Sequence, residues 1–189
     1  MAERDVELFV DSLRRFADRV AHVEDDQWDR PTPCRGWDVR ALVNHVCSEQ
    51  LWAPHLVGGE TIEQVGDRYD DDVLGADPRT TCKMAVDAST AAFERADLDA
   101  IVHLSFGDVP CTVYLEQMLT DAEVHGWDLA RGLGQPAELD PETASRLLPL
   151  VQGQEASLRD SGLFGPPVVV GDDADDADQL LALLGRDPS

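Results

Sequence analysis

Along the first two dozen residues Val6, Phe9, Val10, Leu13, Phe16, Ala17, Val20 and Val23 recur at steps of three and four, the spacing of a helix that turns one apolar stripe to a core. That spacing predicts a first helix over about 3–23. The stretch from Glu24 to Gly36 carries Pro31, Pro33 and Gly36. These deny a continuous helix its hydrogen bonds and favour extended backbone, so the stretch reads as a linking loop. A second helix is expected from about Trp37 to His55, with Val39, Leu42, Val43, Val46 and Gln50 on one side and Pro54, Gly58 and Gly59 closing it. Residues 57–76 are polar, keep no sustained period and contain the acidic run Asp70 to Asp72; they read as an irregular surface connection. Asp77-Pro78 and Asp140-Pro141 are helix starts, each a carboxylate able to cap free N–H groups followed by a proline that needs no donor. They open a third helix to about Ala96 and a fifth to about Asp160. Between them Ile101 to Phe106 reads as a short extended piece, and a long fourth helix covers about 111–133, stopped by Gly134. After the breaks at Gly162, Gly165, Pro166 and Pro167, a short helix is expected from Gln179 to Leu184. The result is an all-α four-helix bundle with an additional C-terminal helix and an irregular tail. It forms one domain over 1–189, with a bundle core over about 3–135 and the C-terminal helix and tail over about 136–189.

The chain is 189 residues long, the size of one domain with a modest extension. Fifteen Lys and Arg against thirty-eight Asp and Glu leave a formal charge of −23. Such a field repels polyanions, which excludes nucleic acid as a partner. No apolar run approaches the roughly 18 to 20 residues of a membrane span, and the N-terminal segment lacks the basic start and unbroken apolar stretch of a signal peptide. A cytoplasmic, soluble protein is expected, and a homodimer with one apolar bundle face covered by a twin is compatible with it. Cys34, Cys47, Cys82 and Cys111 stand far apart with no CxxC pair. They are expected to be reduced, partly buried thiols rather than a disulfide framework or a thiolate zinc site.

One arrangement on the fourth helix carries possible chemistry, in Thr120-Asp121-Ala122-Glu123-Val124-His125-Gly126-Trp127-Asp128. At about 100° per residue, positions four apart differ by only about 40° around the axis. Asp121 and His125 therefore project from one face, one turn apart, where a divalent ion can bridge them. Leu115, Met118, Leu119, Ala122, Leu129 and Leu133 form the core stripe, and Tyr114, Asp121, His125 and Asp128 line its flank. On the second helix His45 sits beside the apolar stripe and is the natural third ligand. Two imidazoles and a carboxylate, with positions left for water or substrate, suit catalytic zinc and also nickel, iron or manganese. The rival reading is plainer: an Asp and a His one turn apart often form no more than a surface ion pair. His103 is expected to be structural, and His55 lies about 80° around the helix from His45, outside the site. His22 ends the first helix, where a cation suits the dipole. Trp37 and Trp127 are expected to wall the cavity, and Arg35 and Arg40 to pair with Asp38.

Two segments are familiar together: Trp28-Asp29-Arg30-Pro31-Thr32-Pro33-Cys34-Arg35-Gly36-Trp37-Asp38-Val39-Arg40-Ala41-Leu42-Val43-Asn44-His45 and His125-Gly126-Trp127-Asp128-Leu129-Ala130-Arg131. They resemble the mycothiol-dependent maleylpyruvate isomerase-type, DinB-like family of metal-binding four-helix proteins, and the resemblance extends to the C-terminal Leu183-Leu184-Gly185-Arg186-Asp187-Pro188. It implies that His45, Asp121 and His125 bind one divalent metal, commonly zinc, with Asp121 standing where the family's isomerases have the longer Glu. It also implies a thiol cosubstrate of the mycothiol kind and a small electrophile, joined by S-transfer or carried through isomerisation. Glu49, one turn after His45, and Tyr114 are candidates to touch the metal's ligands or the substrate. Two other functions compete: a non-catalytic metal-binding module for sequestration or sensing, and a structural or partner-binding bundle with no metal at all.

Overall fold

Helix α1 (Ala2–Ala21) buries Phe9, Leu13, Phe16 and Val20 completely, which is the stripe its spacing called for. It ends at Ala21, where the His22 ring N–H turns back to donate to the Asp18 carbonyl at 2.7 Å. The structure is a computed structural model describing residues 2–154 and 164–189. Its chain divides into two units, Met1–Pro136 and Ala137–Ser189.

Helix α2 (Val39–Val57) starts two residues later than the pattern suggested, because the Asp38 carboxylate is its cap and accepts from the Ala41 N–H at 2.8 Å. Asp38 is thereby committed to the helix start. Arg40 does not pair with it as expected but reaches Asp72 Oδ2 at 2.7 Å and the Gly75 carbonyl at 2.9 Å. Pro54 lies inside α2 rather than at its end, and the helix runs two residues past His55 to Val57, capped by Gly58. The connection over 57–76 holds a four-residue helix, α3 (Ile62–Val65), closed by a capping box between Thr61 and Gln64. It is fastened back along α2 by side chains one and two turns apart. Asn44 accepts from the Val73 N–H at 2.8 Å, Ser48 donates to the Tyr69 carbonyl at 2.8 Å, and His55 Nε2 lies 3.0 Å from the Tyr69 hydroxyl.

Helix α4 (Pro78–Phe93) begins at its Asp77 cap and stops three residues before the expected end. The extended piece is a hairpin, β1 (Ile101–Leu104) paired antiparallel with β2 (Gly107–Pro110), Val102 opposite Val109 and His103 opposite Asp108. His103 Nδ1 meets Asp108 Oδ1 across it at 2.7 Å, the structural role expected of that histidine. The hairpin delivers the chain to α5 (Cys111–Leu133), whose bounds match the sequence reading. Pro110 offers no capping side chain. The free N–H groups of Cys111 and Thr112 donate instead to the carbonyls of Ala100 and Leu98, at 2.8 and 3.0 Å.

Helix α1 packs on α5 and α4, and α2 packs on the same two, so the four long helices close a ring around Leu13, Phe16, Leu42, Phe93, Leu115 and Leu129. In the second unit α6 (Pro141–Gly153) packs on α7 (Asp176–Leu183). Asp140 and Asp175 cap them, and the Asp175 cap is why α7 begins ahead of Gln179. The expected continuation of the fifth helix to Asp160 lies outside the described residues. No helix among the described residues is long and apolar enough to cross a membrane.

Candidate functional site

Neighbouring helices α2 and α5 bring three side chains together. His45 Nε2 and His125 Nε2 each lie 3.3 Å from Asp121 Oδ1, and the two imidazole rings meet edge to face at 5.1 Å. The three ligand atoms fall within 4.8 Å of one another. The side chains of His125, Asp121 and His45 are 10%, 25% and 30% exposed, so the group is neither a surface pair nor sealed from solvent. Trp37 covers it, its ring 4.8 Å from that of His45 and 6.0 Å from that of His125. Trp127 is buried beneath the Arg131 guanidinium.

The other nitrogen of His125 has its own partner, since the Nδ1–H donates to Asp128 Oδ2 at 2.9 Å from a carboxylate that is wholly buried. The same oxygen accepts from the Cys34 thiol at 3.0 Å, whose sulfur lies 3.6 Å from Nδ1. Cys34 is carried there by a tight turn in which Trp37 donates to the Cys34 carbonyl and Cys34 to the Thr32 hydroxyl, with Gly36 at a φ of +84°. The turn can approach α5 because position 132 is glycine: a Cβ there would stand 3.0 Å from Thr32 Cγ2 and 3.3 Å from Val39 Cγ2. Cys34 and Asp128 are the site residues that the sequence reading left among buried thiols and flank positions. Their one visible signal is the three-residue step between His125 and Asp128.

Burial works against the charge of Asp121, but the charges and hydrogen bonds of His125 and His45 hold its carboxyl well below the usual carboxylate range. Burial likewise disfavours protonated His125; the charge and hydrogen bond of Asp121, joined by Asp128 and Cys34, prevail and push it well above the ordinary histidine value. Glu49 is half-buried one turn after His45. Burial, then the Asp121 charge, raises its carboxyl against the pull of His45 and His125. Tyr114 is buried, and burial followed by the charges of Glu49, Cys111 and Asp121 raises its phenol well above the usual value. The Tyr114 hydroxyl and Asp121 Oδ2 are both buried without a hydrogen-bond partner among the described residues.

These residues fit a divalent cation. Bonds of about 2.0 to 2.2 Å to a shared ion put adjacent nitrogen and oxygen donors about 3 Å apart, which is the spacing found around Asp121 Oδ1. Asp121 Oδ2 is a lone-pair donor with nothing to bind. Cys34, His125 and Asp128 form a second close group, but a neutral imidazole has one free lone pair. With Nδ1–H on Asp128, that lone pair is on Nε2 and faces His45 and Asp121. His55, tied to Glu60 and Tyr69, stands apart from both groups.

The family model described as the mycothiol maleylpyruvate isomerase N-terminal domain matches residues 9–130, a span that holds all three side chains. Two Mycobacterium tuberculosis sequences, from strains CDC 1551 and H37Rv and each called an uncharacterized protein, are 32% identical over 183 residues, covering 90% of this chain and 91% of each of them. The crystal structure of the mycothiol-dependent maleylpyruvate isomerase superposes with a TM-score of 0.63 at 16% identity, over 84% of this chain and 69% of that one. A mutant of that enzyme gives 0.64 at 17% over the same shares. At such identities the likeness is one of fold, the all-α DinB-like bundle.

Proposed function

The chain belongs to the mycothiol maleylpyruvate isomerase N-terminal domain family, and from that premise we propose that it is a metal-dependent thiol S-transferase or isomerase acting on a small electrophile. His45, Asp121 and His125 hold one divalent ion, zinc before nickel, iron or manganese, and a thiol of the mycothiol kind is the cosubstrate. The observation that carries this reading is the convergence of three donors on one point with a buried carboxylate fixing the tautomer of His125 from behind. A bound divalent cation would supply the positive charge that favours thiolate over thiol and so makes a nucleophile at neutral pH. Asp128 keeps the Nδ1 proton of His125, Trp37 shields the imidazoles from water, and the groups around Asp121 orient the bound thiol and electrophile. A mixed set of three protein donors, one short of the four that close a structural zinc site, favours catalysis over storage.

Metal analysis of protein purified without an affinity tag tests this. One zinc per chain is expected, lost in each of His45→Ala, Asp121→Ala and His125→Ala. The loaded protein, given mycothiol and a panel of electrophiles, is expected to form thioether adducts visible by mass spectrometry. An ion-free wild-type protein would remove the metal reading, and thiol consumption independent of the protein would remove the catalytic one.

A further inference from the structure

Behind His125 lies a second set of donors. Cys34 Sγ, His125 Nδ1 and Asp128 Oδ2 form a triangle with sides of 3.6 Å from sulfur to nitrogen, 3.0 Å from sulfur to oxygen and 2.9 Å from nitrogen to oxygen. Bonds of about 2.3 Å to sulfur and about 2.0 to 2.2 Å to nitrogen or oxygen, meeting at a tetrahedral angle, hold sulfur and nitrogen about 3.6 Å apart. An ion reaches all three atoms once the hydrogens that now join them have left, with the two sides at Asp128 lengthening by about half an ångström. The turn can yield that much, because Cys34 is half-buried and belongs to no helix.

Ligand softness separates this set from the one in front. His45, Asp121 and His125 offer two nitrogens and an oxygen, whereas Cys34 adds a sulfur, the donor that thiophilic ions select. Local charge favours a cation as well. The carboxylates of Asp121 and Asp128 lie against opposite ends of the His125 ring, and Arg35, the one cation of the turn, is exposed to water. Both sets draw on the same ring, and a neutral imidazole has a single lone pair. We propose that Cys34, His125 and Asp128 form a second metal site, for a thiophilic ion such as cadmium(II) or copper(I), and that filling it empties the site formed by His45, Asp121 and His125. The site itself is independent of the zinc reading above; the loss of zinc rests on it.

Protons balance as follows. The Cys34 thiol gives its proton to water, and the resulting thiolate and the Asp128 carboxylate match the charge of a divalent ion. The lone pair that binds this ion is on Nδ1, so the ring proton stands on Nε2, 3.3 Å from Asp121 Oδ1, which accepts it. That hydrogen then occupies the direction in which Nε2 would have met zinc. A thiophilic ion therefore acts as an inhibitor from behind the site, without touching His45 or Asp121.

Cadmium(II) added to the full chain, metal-free and zinc-loaded, tests this. In the metal-free protein a sulfur-to-cadmium charge-transfer band in the ultraviolet is expected, with one ion bound per chain by equilibrium dialysis. The band should vanish in Cys34→Ser, which keeps a hydroxyl to donate to Asp128 and so should melt near the wild-type temperature, and it should persist in His45→Ala. In the zinc-loaded protein, saturating cadmium is expected to weaken zinc retention against a chelator at least about tenfold, and Cys34→Ser to remove that effect. A band that survives Cys34→Ser, or no band in the wild type, overturns the site. Two cadmium ions per chain, or zinc held unchanged beside bound cadmium, overturns the sharing of His125. Wild-type protein that takes up no zinc yet shows the Cys34-dependent band counts against the zinc reading and leaves the second site standing.

Discussion

The two ring nitrogens of His125 face different partners, Asp121 through Nε2 and Asp128 through Nδ1. If Asp128 holds the tautomer, Asp128→Ala should lower zinc affinity about 10- to 100-fold without unfolding the protein, as measured by competition with a chelator; unchanged affinity would show that the contact is only packing. The cysteines give a second expectation. A hydrogen bond that the Cys47 thiol donates to Cys82, together with burial, pushes the Cys47 thiol far up, and burial with the Asp97 charge pushes Cys111 up to about 11. Cys82 is buried as well, and Cys34 is the half-buried one. Iodoacetamide on the native protein should therefore mark Cys34 first, as peptide mass spectrometry would report, and equal labelling of all four would contradict the burial described. Asp121 and His125 were legible in the sequence because one helical turn joins them. Cys34 was not, since 91 positions separate it from His125 and only the folded turn over 32–37 closes that distance.

Helix boundaries follow from capping chemistry, which is local, and so the sequence shows most of them. Asp77 and Asp140 announce α4 and α6, and Gly134 ends α5 at a φ of +70°. Replacing the α2 cap, Asp38→Ala, should destabilise the protein by about 1 kcal/mol, seen as a lower urea midpoint with an unchanged slope. What stayed hidden depends on pairing between distant segments. The strap over 57–76 looks like a polar loop until Asn44, Ser48 and His55 are seen to grip it, and the hairpin looks like a single extended piece until Val102 faces Val109. The approach of the 31–39 segment to α5 is equally invisible in one dimension. Gly132→Val should push Thr32 and Val39 away and destabilise the fold by about 1 to 3 kcal/mol, with Cys34 labelled faster than in the wild type. A variant as stable as the wild type would show that the approach is not tight.

At the scale of the whole molecule a formal charge of −23 makes the folded state repel itself, an effect that salt screens. The melting temperature should therefore rise as sodium chloride is added from low ionic strength, and a fall would mean that specific ion pairs, such as buried Glu123 with Arg15, outweigh the repulsion. Against that negative background the bundle gathers His45, Asp121 and His125 at one point, and the proposed chemistry depends on their holding a common ion. Zinc-edge X-ray absorption on the reconstituted, thiol-free protein reads the atoms around the metal directly. The account predicts nitrogen and oxygen neighbours alone, at about 2.0 to 2.2 Å, with two imidazoles among them; a sulfur at about 2.3 Å, which would place the ion on Cys34, or the absence of bound zinc would contradict it.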